Sequence, residues 1–138
     1  MGVEGEPDFF ATDLGQALLQ VRDPNELAAM VGTAMLAVNA PSPGIWMSVV
    51  GASQGDEELS GFHVEMLALI RAQVEHVLRY IQGRGWLRSD VPFDDLVEAL
   101  CVITSVESYV RYVRLDTRSP EEYQAFVART ISDTILRR

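Results

Sequence analysis

Few residues in this chain are equipped for chemistry: two histidines, His63 and His76, one cysteine, Cys101, and some carboxylates on otherwise apolar helical stripes. A di-iron bundle needs Glu-x-x-His on two helices plus carboxylates on two others. Glu75 is followed three residues on by Leu78, so that spacing fails. His63 and Glu65 are two apart, face different ways on a helix and make a poor chelate. The sequence has no glycine-rich phosphate loop, no His-Glu-x-x-His and no nucleophile elbow. Cys101 reads as a small buried hydrophobe. The expectation is a protein that is not an enzyme, with no catalytic residues, no metal and no cofactor.

Binding is the other use for such residues. His63 projects near the apolar stripe of Met66 and Ile70, either as a core-edge histidine donating to a carbonyl or as a pocket-lining group. His76 sits beside a charged ladder and reads as solvated. Met30, Met35, Met47 and Met66 with Trp46 would make an adaptable cavity wall if they converge; ordinary core packing is the alternative for each. The candidate pocket is thus Met30, Met35, Trp46, Met47, His63, Met66, Ile70 and Thr104. Glu107 shares a stripe with Leu100, Ile103, Val110 and Arg114, and a carboxylate on such a stripe is informative. It could pair with an arginine across a helix interface, line a polar part of a cavity, or point outward.

The element that must position these groups is the stretch Phe62 to Gln82. Phe62, Met66, Leu67, Ile70, Val74, Val77, Leu78 and Ile81 recur every three or four residues, the period of an amphipathic helix. Arg71, Glu75 and Arg79 form a charge ladder on its other side. Gly83 and Gly85 end it, and Asp56 allows it to begin as early as Glu57, with Gly61 leaving a kink or restart open. Before it come a helix from Phe9 to Val21 and another from Asn25 to about Val38, the second opened by Asp23-Pro24-Asn25-Glu26. Ser42 and Pro43 open a short third through Ile45, Trp46, Val49 and Val50. After the Trp86–Pro92 link a single long helix is expected over Phe93–Leu115. Ser119-Pro120-Glu121-Glu122 starts the last, from Pro120 to about Leu136. No convincing strand emerges, and the fold class is all-α with five or six helices.

Composition narrows the function. At 48% hydrophobic, the 138 residues suit one packed domain over 9–138, with 1–8 a disordered or residual tail. One cysteine excludes an internal disulfide framework. No leader and no apolar run of membrane-spanning length is seen, so the expected location is cytoplasmic, with no membrane partner. A net charge of -9 argues against nucleic acid bound by this chain alone. The basic residues are all arginine, and they are scattered.

Gly83-Arg84-Gly85-Trp86-Leu87-Arg88-Ser89-Asp90 resembles a link in tetracycline-repressor-type (TetR family) bacterial regulators. In that family it joins the long central helix of the regulatory domain to the first dimerisation helix. Phe93-Asp94-Asp95-Leu96-Val97-Glu98-Ala99-Leu100 looks like the start of that helix. Tyr109–Leu115 and then Ser119-Pro120-Glu121-Glu122-Tyr123 resemble the variable turn and the final helix. The likeness rests on helix order, length and turn chemistry over residues 9–136. It implies a C-terminal ligand-binding domain, a small, hydrophobic effector enclosed by 25–50 and 57–82, and a homodimer whose four-helix interface uses 93–115 and 120–136. The family's helix-turn-helix domain has no counterpart in the residues before Phe9. A free-standing binding or dimerisation module outside transcription is the alternative. Independently of the family, apolar positions along both late helices suggest a partner, with Val106, Glu107, Val110, Arg114, Phe126, Val127, Thr130 and Ile131 near the seam.

Overall fold

The computed structural model describes residues 12–41, 44, 48, 51–52 and 54–137. Within them lie six α-helices and no sheet: α1 (Asp13–Leu19), α2 (Pro24–Asn39), α3 (Glu57–Gly83), α4 (Phe93–Ile103), α5 (Val106–Tyr109) and α6 (Pro120–Thr134). Phe9, Phe10 and most of the expected short helix around Trp46 fall outside the described residues.

The starts follow the chemistry of their caps. Asp23 accepts from the Glu26 backbone N–H at 2.8 Å, with Pro24 in the first turn. At α6 the capping box is complete: Ser119 Oγ accepts from Glu122 N at 3.0 Å, and Glu122 Oε1 accepts from Ser119 N at 3.2 Å. Asp56 accepts from the N–H groups of both Glu58 and Leu59, and α3 then runs through Gly61 without a restart. At its other end Gly85 takes φ +77°. Trp86 N donates to Ile81 O at 3.1 Å and Gly85 N to Gln82 O at 3.0 Å. Those paired bonds close a helix on carbonyls that would otherwise lack partners, and only glycine enters the left-handed region without strain.

The expected helix over Phe93–Leu115 is broken. Thr104 Oγ1 bonds back to the Leu100 carbonyl at 2.7 Å, and Ser105 Oγ caps a new turn by accepting from Ser108 N at 3.1 Å. Adjacent hydroxyls offer the backbone local alternatives to the helical ladder. The chain restarts as α5 and passes into a wider π turn over Val110–Leu115.

Leu18 of α1, Leu27 and Ala28 of α2, Leu78 and Ile81 of α3, Leu96 and Val97 of α4, and Tyr123, Val127 and Ile131 of α6 share one buried cluster. α2 and α6 pack on each other and α3 packs on α4. The close α2–α6 approach uses Gly32, where an added Cβ would stand 2.6 Å from the Gln124 carbonyl oxygen. The link after α3 is tied to the end of α6 by a Leu87–Leu136 bridge and by Arg88 N donating to Ile135 O at 3.1 Å.

The α3 stripe is buried only toward its C-terminus. Arg79 lies over the Phe93 ring and Arg71 meets Glu98 at 2.9 Å, so α4 runs antiparallel to α3. Beyond Arg71 about 21 Å of α3 remains, against about 8 Å of α4 beyond Glu98. The overhang leaves Phe62 49% and Ile70 38% exposed. No described helix is long and apolar enough to cross a membrane.

Candidate functional site

Between α1, α2, α3 and the broken α4–α5 helix lies a cavity of about 670 Å³. Its walls follow from the helix faces. Met30, Val31, Ala34 and Met35 come from α2, spaced to share one side of a helix. Leu67, Ile70, Val74 and Val77 come from α3, and Leu14 and Leu18 from α1. The third wall is the broken helix, with Leu100 and Cys101 before the break and Val106 and Glu107 after it. The mouth lies at the exposed Val38, Leu67 and Ile70, beside the Arg71–Glu98 ion pair.

Polar groups on the wall are few and mostly committed. Thr104 Oγ1 is bound to Leu100 O, and Ser105 Oγ donates to Val102 O at 2.8 Å. Arg71 also faces Glu75 at 3.8 Å. Burial pushes the Cys101 thiol above its ordinary pKa, so it stays protonated and weakly nucleophilic at neutral pH. Asn39, the last residue of α2, is 4% exposed. Its Nδ2 donates to the Thr104 carbonyl at 3.1 Å and to the Tyr123 hydroxyl at 2.9 Å. One amide thus joins the end of α2, the break in the third wall and α6. Burial raises the Tyr123 pKa while the bond from Asn39 opposes it, and the phenol stays protonated at neutral pH.

Of the pocket residues expected from sequence, Met30, Met35, Ile70 and Thr104 converge on this cavity. His63 and Met66 do not line it; both lie on the part of α3 that runs past α4. Trp46 and Met47 lie outside the described residues. The seam residues divide. Val127 and Ile131 are fully buried inside the protomer, where α6 turns toward α2, and Val106 is nearly so. Val106 and Glu107 line the cavity: Glu107 keeps the face of Leu100, and the break at Thr104–Ser105 brings Val106 onto it. Phe126 is half-buried and stacks on Tyr112 at 4.9 Å, Val110 and Thr130 are half-buried, and Arg114 is exposed. Arg71 and Arg79, expected as a solvated ladder, reach across to α4.

Sequence reasoning passed over Asn39, Val31, Ala34 and Glu98. The apolar pair was visible as helix face. Asn39 carried a weaker signal: an amide closing an apolar helix just before Ala40-Pro41, which reads as a stop. Among the described residues no group of three or more His, Cys, Asp or Glu converges as a metal site. Comparison with family models, with curated proteins and with solved structures gives no match to this chain.

Proposed function

We propose that this chain is the ligand-sensing and dimerisation domain of a TetR-like transcriptional regulator, and that its effector is a small, mostly hydrophobic molecule. The observation that carries the proposal is the 670 Å³ cavity with its apolar walls. That volume lies within the range of about 300–1,000 Å³ usual for small-molecule sites, and an apolar lining with a few placed polar groups is their common chemistry. The net charge of -9 fits a sensing part better than a part that grips phosphate. For pairing, the surface between α4 and α6 offers Val102, 59% exposed, with Ala99, Ile103, Thr130 and Thr134 beside it.

Calorimetry with neutral apolar compounds tests the sensing half. The parent binds, and Ala34→Phe, which fills the cavity, does not. Failure of every compound at millimolar concentration would overturn it. Sedimentation tests the pairing half: the parent runs as a dimer and Val102→Asp as a monomer, while Gln20→Asp, just after α1, leaves the dimer intact. A helix-turn-helix encoded immediately upstream of Met1 would support the regulatory role.

A further inference from the structure

The Asn39 amide has a donor side and an acceptor side, and only one of them is used. The Thr104 carbonyl can only accept, so the amide nitrogen must face it. The same nitrogen reaches the Tyr123 hydroxyl, and both of its protons are then committed. Oδ1 has no donor within hydrogen-bonding distance among the described residues. Asn39 is also more than nine-tenths buried and lines the cavity. A buried acceptor without a donor is costly, and native structures rarely tolerate one without a water or a ligand to satisfy it.

Among the described lining residues Asn39 is the one buried polar side chain; Gln73 is half-buried and Glu107 exposed. The Thr104 and Ser105 hydroxyl protons go to backbone carbonyls, and the Arg71–Glu98 pair stands at the mouth. We infer that Asn39 Oδ1 is the specificity-determining acceptor of the cavity, and that the ligand is an uncharged, mostly apolar molecule carrying one hydrogen-bond donor, a hydroxyl or an N–H. The inference rests on the sensing role proposed above. A charged ligand is disfavoured because Asn39 offers no counter-ion, while Arg71 and Glu98 neutralise each other at the mouth and Glu107 is exposed. A purely apolar one leaves Oδ1 unsatisfied, which is the condition under which polar sites discriminate most strongly.

The test uses three probes of similar size: 4-butylphenol, its methyl ether 4-butylanisole, and 1-butyl-4-fluorobenzene. The ether keeps an oxygen acceptor but loses the donor, and the fluoro compound has no donor. Calorimetry on the full chain is expected to show the phenol binding about tenfold or more tightly than either analogue. Asn39→Leu is expected to remove that preference while retaining the analogues. Tyr123→Phe, which takes away a partner of Nδ2 but leaves Oδ1 in place, should keep the preference, separating a reading role from a structural one. Equal binding of all three by the parent overturns the inference and leaves the sensing role standing, and this arm needs no variant to fold. Binding of none of them overturns both.

Discussion

Gly32 sits in the interior of α2, where the usual expectation for Gly→Ala is a gain of about 0.8–1.0 kcal/mol from helix propensity. The packing reverses that sign. The alanine Cβ would lie 2.6 Å from the Gln124 carbonyl oxygen and 3.4 Å from the Ala128 Cβ. The first of these is backbone of α6 and cannot swing aside as a side chain could, so the two helices must separate by a few tenths of an ångström or more. Overpacking of this kind costs about 1–3 kcal/mol. Set against the propensity gain, Gly32→Ala should lose about 0–2 kcal/mol net, a melting-temperature drop of up to roughly 8 °C for a domain of this size. Gly61 is the internal control. It is exposed in the interior of α3 with nothing within 4 Å of an added Cβ, so Gly61→Ala should gain about 0.5–1 kcal/mol. Urea unfolding followed by helical circular dichroism reads both. If Gly32→Ala gains as much stability as Gly61→Ala, the close α2–α6 approach is refuted.

Asp90 is held at about 2, below the ordinary 3.8, chiefly by hydrogen bonds from Arg88 at 2.7 Å. A depressed carboxylate contributes stability that is full above about pH 4 and is lost as pH falls toward about 2. Asp90→Asn should therefore flatten the fall in urea midpoint across that window, and an unchanged slope would exclude the pair as its source. Ser119→Ala removes half of the α6 capping box and should cost about 1 kcal/mol, read by the same unfolding assay. Cys101 should alkylate slowly with iodoacetamide near neutral pH, more slowly still with 4-butylphenol in the cavity; a rate equal to that of a free thiol would contradict its place in the wall.

Much of the fold was legible because its signals are local. Asp23-Pro24 and Ser119-Pro120-Glu121-Glu122 announce helix starts through groups within one turn of the chain, and Gly85 announces a stop through its own φ. The cavity was half legible for the same reason: Met30, Met35 and Ile70 sit on helix faces that periodicity can find. Which of two faces a helix turns inward is decided by its neighbour. Periodicity therefore could not tell that Val127 and Ile131 belong to the protomer core, or that α3 overhangs α4 and leaves His63 and Met66 outside the cavity.

The break at Thr104–Ser105 shows how one misread junction changes a site. In an unbroken helix, at about 100° per residue, Cys101 and Val106 would point about 140° apart and could not share one wall. The break lets both line the cavity. It also frees the Thr104 carbonyl from the helical ladder, and a freed carbonyl away from water needs a donor. Asn39 supplies that donor across 65 positions of sequence, and the same nitrogen bonds Tyr123 on α6. The hydroxyl pair, the closing asparagine of α2 and the buried tyrosine are thus one arrangement, and none of the three predicts it alone. A molecule that engages the free side of the Asn39 amide touches the only group that bonds, at once, to the break in the wall and to α6 among the described residues. Under the sensing role proposed above, Asn39→Leu should weaken binding of 4-butylphenol and the packing of α6 together, read by calorimetry and by urea unfolding.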